Sequence, residues 1–430
     1  MVDKVKVLIF PAGSEIAHDI NSSLKYNLHV ELFGASGKPD NARLIYDGDH
    51  YFEDNFYITS PDFLERFNAL LQKYSIDIII PTHDTIALYC AEHRGEIKAK
   101  VLTSAHETAL IAREKRLIYN VFRNTGLCPA VYTPPFKGIS YPVFLKPNIG
   151  EGAKRSLVCD DEESLIYNIK NNPDLLVCEY LPGEELSVDC FTDKDRRLLF
   201  IGPRTRERVQ MGISFHSSSV PLTNEIKRIA EIINNKLNIR GAWFFQIKKD
   251  KKNKLKLLEF AVRQSSTMGL YRQAGVNFAL LSIFDLMDID VKILINDYPI
   301  ELERSLYNRY RHGFEYSKVY IDFDDCIVIK DTVNEVAIRF LYYCRKTNKK
   351  VILLTKHKHN ISDTLDKYKI HRGLFSKIVG IKEDEHKVSY ITGKDSIFID
   401  NYFFDREAVK NKLNIPVFDV DAIESLIELP

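Results

Sequence analysis

The hydrophobic pattern begins with an apolar-rich run over residues 5–10, followed by Pro11, Ala12, Gly13 and then Ser14 in the position of a helix N-cap. Leu28, Val30 and Leu32 alternate with polar residues before Gly34, and residues 76–80 form another buried-strand run that ends at Pro81. Between them Phe63, Phe67, Leu70 and Leu71 recur at helical spacing. Strands alternating with helices predict a parallel sheet, so residues 1–103 are expected to form a small doubly wound α/β domain. Gly13 and Ser14 would then stand at the carboxyl end of the first strand, where ligands of such sheets bind. One glycine is not a dinucleotide fingerprint, however, and a tight turn is the expected reading.

Further along, Ser104 and Glu107 have capping-box spacing, and a second helix is expected from Glu114 to near Gly126. Residues 141–146 read as a strand ending in Lys146. Pro147, Gly150, Gly152, Lys154, Arg155 and Ser156 follow as a glycine-bearing basic loop. A lysine at a strand end supplies a point charge and such a loop supplies backbone N–H groups, a combination suited to phosphate, although no Walker motif is present. Residues 175–189 read as an apolar strand, a Pro182-Gly183 turn and an alternating strand, with Glu179 and Glu185 either side of the turn. These carboxylates suit an adenine amine and ribose hydroxyls, or simply water at a turn. Residues 241–264 read as two strands joined by a lysine-rich turn. Gln246, Glu259 and Arg263 are set among Trp243, Phe244, Phe245, Leu257, Leu258 and Phe260. Polar groups there need partners, which a bound metal-phosphate supplies; a solvated edge is the alternative.

After the polar segment 308–317 the pattern restarts with a strand carrying Asp322 and Asp324 at its end. In an extended chain residues i and i+2 point the same way, so one carboxylate can attack while its neighbour manages protons. A helix with Val333, Ala337, Phe340, Leu341 and Cys344 on one face is expected next, then a strand ending at Thr355. Lys387 is expected to open a further helix, and a last strand from Ser396 leads to Asp400 and Asp405.

Composition narrows the function class. At 430 residues the chain is long enough for about three domains, and 45% hydrophobic with 28% charged residues is a globular balance. Lysine plus arginine number 60 against 59 aspartate plus glutamate, so no global field recruits nucleic acid or an anionic membrane. The seven cysteines are odd in number and scattered without a C-x-x-C pair, which argues for a reducing compartment and against a disulfide framework or zinc site. The N-terminus lacks a signal-peptide layout, and the long apolar run 277–295 contains Asp285, Asp288 and Asp290, which a spanning helix does not tolerate cheaply. A cytoplasmic protein acting on small molecules is expected. Its oligomeric state is not legible in the sequence.

Taken together, residues 112–130, the loop FLKPNIGEGAKRS, the segment EYLPGEELSVD, RTRERVQMGIS, and GAWFFQ with LLEFAVRQSS resemble the ATP-grasp superfamily. The nearest likeness is to its carbamoyl-phosphate-synthase-like carboxylate-amine ligases, and it covers roughly residues 1–300. The resemblance implies a pre-ATP-grasp domain over 1–103 and an ATP-grasp domain over 104–313, with ATP and Mg2+ as cofactors. Lys115 and Lys146 then contact ATP phosphates, and the loop 150–156 with Gly150, Gly152 and Ser156 covers them. Glu179, Tyr180 and Leu181 read adenine, and Glu185 meets the ribose. Gln246 and Glu259 become magnesium ligands, while Arg206 and Arg263 meet the transferred phosphoryl group or the acyl phosphate. Family members typically read Glu-x-Asn-x-Arg on the last metal strand; here Ala261 stands where the asparagine ligand is expected.

Residues 317–430 resemble the haloacid-dehalogenase-like phosphatases, through Asp322-x-Asp324, Thr355, Lys387 and Asp400 with Asp405, in that family's order. The resemblance implies a Rossmann-like domain in which Asp322 is the nucleophile and Asp324 the general acid and base. Thr355 and Lys387 hold phosphoryl oxygens, Lys382 being a poorer substitute for Lys387. Asp322, Asp324 and Asp400, with Asp405 as an alternative, bind magnesium. Asp325 and Cys326 stand where that family often has Gly-Thr. Thirty residues separate Asp324 from Thr355, too few for an inserted cap domain.

The two resemblances together imply a bifunctional enzyme. An ATP-dependent ligase would join a small-molecule carboxylate to an amine through an acyl phosphate, and a phosphomonoesterase would act on the amine partner or the product. The alternative is a phosphatase carrying a non-catalytic nucleotide-binding module. Neither a nucleic acid nor a membrane is an expected partner.

Overall fold

The computed structural model describes residues 4–46, 48–150, 154–210, 212–305, 310 and 312–427. The chain divides into two compact units, Met1–Leu306 and Tyr307–Pro430.

In the N-terminal unit the first sheet has five parallel strands in the order Tyr51–Glu53, Val30–Ser36, Val5–Phe10, Ile78–Pro81, Lys100–Val101. Val7 and Ile9 pack on one face with helix Glu15–Leu24, and Leu8 and Phe10 on the other with helix Phe63–Tyr74. Burial on both faces is why residues 7–10 of this strand read as an unbroken apolar run. Ser14 caps the first helix, its Oγ accepting from the Ala17 N–H at 3.1 Å. Phe10 pairs with Pro81, so the segments after these two strands leave side by side. Thr82 Oγ1 ties them together, donating to the Pro11 carbonyl at 2.7 Å and accepting from Ser14 Oγ at 3.0 Å.

Two antiparallel sheets follow. One has the order Val131–Tyr132, Leu175–Glu179, Val143–Pro147, Leu157–Cys159; the other has Leu198–Thr205, Glu185–Thr192, Gly241–Lys249, Leu255–Ala261. Trp243, Phe245, Ile247 and Leu257 are fully buried in one core with helices Lys115–Phe122 and Asn224–Lys236. Asp250 closes the lysine-rich turn by accepting from the backbone N–H groups of Lys252 and Lys254. Ala279 and Ile283, on helix Phe278–Leu286, join the core over Val7 and Ile9. The segment expected as a separate second domain therefore shares apolar packing with the first sheet.

One local expectation fails here. Helix His106–Arg113 has Ala105 at its N-cap and no side-chain cap. Ser104, 1% exposed, instead accepts from the Arg240 N–H at 3.2 Å. A buried hydroxyl able to satisfy a distant backbone donor outweighs a local cap that water can replace. Helix Lys115–Phe122 does run through a short turn to Gly126, whose φ of 72° needs no Cβ.

The C-terminal unit holds a five-stranded parallel sheet in the order Lys377–Gly380, Lys350–Thr355, Lys318–Ile321, Ser396–Ile399, Val417–Phe418. Val319 and Ile321 face one core and Tyr320 the other. Helix Glu335–Lys346 buries Ala337, Phe340, Leu341 and Cys344, but Val333 precedes it in the short strand Thr332–Val333. Asn334 intervenes as the N-cap, accepting from Val336 and Ala337. Lys387 opens only the four-residue 3-10 turn Lys387–Tyr390, and Asp405 lies in helix Phe403–Leu413, not at the strand end. Among the described residues no helix is long and apolar enough to cross a membrane.

Trp243 is the chain's single tryptophan. It is buried in the N-terminal unit beside Phe245, with ring centroids 5.8 Å apart. Its emission during denaturation therefore follows that unit alone, and Phe245→Ala is expected to reduce the stability so measured by about 3–5 kcal/mol.

Candidate active sites

A cavity of about 520 Å³ opens in the N-terminal unit, lined from all three of the sheets described above. Lys146, next to last in its strand, is 6% exposed and donates to the Tyr119 hydroxyl. Burial holds its ammonium group below the usual lysine range. Lys115, at the start of its helix, places Nζ 3.6 Å from Glu259 Oε2. Gly150 and Ser156 line the same cavity; Gly152 lies outside the described residues.

Glu179, Tyr180 and Leu181 also line it, where the strand Leu175–Glu179 runs out. Glu179 exchanges a backbone bond with Ala130, donating to its carbonyl at 2.8 Å, while its carboxylate accepts from the Ala130 N–H at 3.1 Å. Glu185 lies 2.7 Å from Arg206 Nε and 3.6 Å from Lys248 Nζ. Gln246 stands opposite Glu259 on the adjacent strand, next to a register irregularity that separates Gln246 from Ile247. The irregularity leaves Leu258 without a register partner, and Leu258 lines the cavity together with Gln246 and Glu259.

Arg263 reaches across to the helix Asp84–Glu92, which follows the strand Ile78–Pro81 of the first sheet. Its Nη2 donates to Asp84 Oδ2 at 2.7 Å, and its guanidinium lies 5.4 Å from the centre of the Phe244 ring. Burial would raise the Asp84 carboxyl, but the Arg263 charge beside it prevails and holds it below the usual range. Asp84, Thr82, His83 and Ser14 all line the cavity. Asp84, Thr82 and His83 were not anticipated from the sequence. The signal was available, because they follow the buried strand that ends at Pro81, as Ser14 follows the first. Tyr119, the partner of Lys146, left no such signal on its helix.

Ala261 stands opposite Phe244 and packs with Leu270 and Tyr271. The position where the resembled family has an asparagine ligand thus belongs to an apolar cluster. The Glu259 carboxylate and the Gln246 amide oxygen are the oxygen donors of this hairpin on the cavity. That donor set fits one magnesium ion completed by phosphate oxygens and water.

In the C-terminal unit three adjacent parallel strands deliver the second cluster at their carboxyl ends. Asp322 follows Lys318–Ile321, Thr355 closes Lys350–Thr355 and Asp400 follows Ser396–Ile399. Lys387, 3% exposed, lies 2.8 Å from Asp322 and 2.6 Å from Asp400, with Asp405 further off at 3.9 Å. Burial raises the Asp322 carboxyl even with Lys387 beside it. Asp400 is pushed up to about 6, by burial first and by Asp322 second. Burial alone would lower Lys387, but the two carboxylates leave it raised. Lys382 contributes none of these contacts: its N–H donates to Glu385 at 2.8 Å.

Asp322, Cys326 and Asp400 bring possible ligand atoms within 4.8 Å of one another, and Asp322 Oδ1 is buried with no hydrogen-bond partner among the described residues. An orphaned carboxylate oxygen facing a second carboxylate fits a divalent cation. Asp324, expected with Asp322 and Asp400 as a magnesium ligand, is outside the set of three whose ligand atoms come together. Its carboxylate is half exposed and bonded to His357, a residue not anticipated from the sequence. Asp325 has φ of 54°, in the left-handed region that favours glycine.

Residues 171–299 match the family described as "ATP-grasp in the biosynthetic pathway with Ter operon". No curated protein is similar to the chain in sequence. Among solved structures, the biotin carboxylase domain of the Hydrogenobacter thermophilus 2-oxoglutarate carboxylase, in complex with MgADP, ADP and bicarbonate, is 17% identical with a TM-score of 0.57, over 69% of this chain and 73% of that one. The Staphylococcus aureus N5-carboxyaminoimidazole synthetase complexed with ADP is 16% identical with a TM-score of 0.57, over 71% and 83%. An L-amino acid ligase from Bacillus licheniformis is 15% identical with a TM-score of 0.52, over 66% and 75%. These likenesses, together with the family match, support an ATP-grasp domain in this chain.

Replacing Lys387 leaves two buried carboxylates facing each other. Lys387→Met is expected to cost the C-terminal unit about 3–5 kcal/mol. Adding Asp400→Asn to it should return part of that loss, as read from denaturation followed by circular dichroism.

Proposed function

We propose that the chain is a bifunctional enzyme, an ATP- and Mg2+-dependent carboxylate-amine ligase joined to an aspartyl-phosphate-type phosphatase. The observation that carries the ligase half is the single cavity in which Lys115 and Lys146, the strand end Glu179 to Leu181, and the opposed pair Gln246 and Glu259 come together. The two lysines offer charge to ATP phosphates, the strand end offers backbone groups and a carboxylate to adenine, and Glu185 meets the ribose. Glu259 and Gln246 would hold magnesium, which when bound offsets charge on the transferring phosphoryl group. A substrate carboxylate oxygen attacks the γ-phosphorus, ADP leaves, and the acyl phosphate is then attacked by the amine with release of phosphate. Arg263, fixed by Asp84, is the cation for the acyl phosphate. The solved neighbours include an L-amino acid ligase and a synthetase with ADP bound, in agreement with this chemistry.

For the C-terminal unit, the support is the convergence of Asp322, Thr355, Lys387 and Asp400 at the ends of neighbouring strands. Asp322 is the nucleophile toward a phosphomonoester, Lys387 and Thr355 hold phosphoryl oxygens, and Asp324 handles the proton. Asp322 and Asp400 would hold the magnesium ion. Its substrate is the ligase's amine partner or product, since fusion keeps an intermediate at high local concentration.

Ala261 favours a second reading, in which the N-terminal unit binds nucleotide without turning it over. Ala261→Asn separates the two: a working ligase changes only modestly, whereas a silent module gains ATP turnover. The bifunctional reading predicts ADP formation that needs both a carboxylate and an amine and is abolished by Glu259→Ala. Phosphate release from a phosphomonoester should vanish in Asp322→Asn while ADP formation continues. Both activities are read in one coupled screen of phosphorylated amines with candidate acids.

A further inference from the structure

His357, two residues beyond Thr355, turns its ring onto Asp324. Nδ1 lies 2.9 and 3.0 Å from the two oxygens of that carboxylate, and Nε2 lies 2.9 Å from Thr364 Oγ1. The Thr364 hydroxyl donates to the Asn360 carbonyl at 3.1 Å, so toward the imidazole its oxygen is the acceptor and Nε2 carries a hydrogen. Phe323 meets the ring edge-on, with centroids 5.2 Å apart. The imidazole is therefore held at both nitrogens and by an aromatic contact. Only 11% of its side chain is exposed, against 52% for Asp324.

Asp324 needs such a hold. A short, half-exposed acid samples several rotamers, whereas proton transfer demands that its oxygen stand within hydrogen-bond reach of the departing atom. We infer that His357 is a positioning residue, which fixes the Asp324 carboxyl group beside the ester oxygen that leaves when Asp322 takes the phosphoryl group. The inference rests on the phosphatase reading. In the first step an Asp322 oxygen bonds to phosphorus, and the phosphorus–ester oxygen bond breaks with its electron pair going to the leaving oxygen. That oxygen takes a proton from Asp324. In the second step water attacks phosphorus and gives a proton to the Asp324 carboxylate, while the bond from Asp322 to phosphorus breaks and releases inorganic phosphate.

The distinguishing readout is dependence on the leaving group. A stable phenolate such as 4-nitrophenolate departs with little help, whereas phenolate and 4-methoxyphenolate need the proton. The full chain is assayed with Mg2+ on 4-nitrophenyl, phenyl and 4-methoxyphenyl phosphate, as wild type, His357→Ala, His357→Asn and Asp322→Asn. An asparagine amide nitrogen falls near the place of Nδ1, so His357→Asn preserves the contact with Asp324. In His357→Ala, kcat/KM on 4-methoxyphenyl phosphate should fall by about 100-fold or more, the scale of a positioned general acid, with a loss of at most about 10-fold on 4-nitrophenyl phosphate. His357→Asn should recover most of the difference. An equal loss across the series in His357→Ala and His357→Asn, or no loss, overturns the positioning role and leaves the phosphatase reading intact. If wild type shows no hydrolysis that Asp322→Asn removes, the phosphatase reading itself fails and the inference falls with it.

Discussion

One antiparallel strand pair, Gly241–Lys249 with Leu255–Ala261, sets both the core and the cavity of the N-terminal unit. Because side chains alternate across a pleat, Trp243, Phe245 and Ile247 go to the buried core while Phe244, Gln246 and Lys248 go to the cavity. A one-residue slip would exchange these sets, burying a charge and an amide and exposing a tryptophan. The register is therefore held by the hydrophobic effect, and the placement of Gln246 against Glu259 follows from it. The placement of these two oxygen donors, proposed above as magnesium ligands, is in this sense a by-product of core packing. The register irregularity after Gln246 is the one place where this pairing departs from regularity, and it lies beside Gln246 and Glu259.

A second constraint recurs in both units. Parallel strands buried on both faces leave few positions for polar side chains in their middle, so chemistry collects at their carboxyl ends. In the first sheet the ends of Val5–Phe10 and Ile78–Pro81 give Ser14, Thr82 and Asp84 to the cavity. In the C-terminal sheet the ends of three adjacent strands give Asp322, Thr355 and Asp400. Both clusters stand where the strand order turns back on itself, the place where open α/β sheets bind ligands.

What the sequence revealed divides along the same line. Buried strands were legible because a short, continuous apolar run bounded by turn residues suits a strand covered on both faces, and the residues at the strand ends came with them. Partners brought from elsewhere in the chain were not legible. Nothing around Asp84 points to Arg263, which follows a strand of another sheet, and nothing around Lys146 points to Tyr119. Ser104 shows the reverse failure, a correct local motif overridden by the distant Arg240 backbone. The short pieces of the C-terminal unit were misread for a related reason. The strand Thr332–Val333 and the turn at Lys387 are too short for periodicity to speak, and tertiary contacts decide them.

The two buried lysines show how differently the same residue can be held. Lys387 lies between two carboxylates that more than repay its desolvation, so it is charged before any ligand arrives and neutralises a site that would otherwise repel a phosphoryl group. Lys146 is as deeply buried but has an uncharged phenol for its close partner, and burial prevails. Glu259 and Glu185 offset that burial only in part, and an anion entering the cavity adds opposite charge, which makes the lysine's charged form most favourable when phosphate is present. In one unit the protein has already compensated its buried cation; in the other it compensates the cation only in part. The difference agrees with the activities proposed for the two units, one of which must hold two carboxylates together at rest while the other needs its cation once a nucleotide is bound.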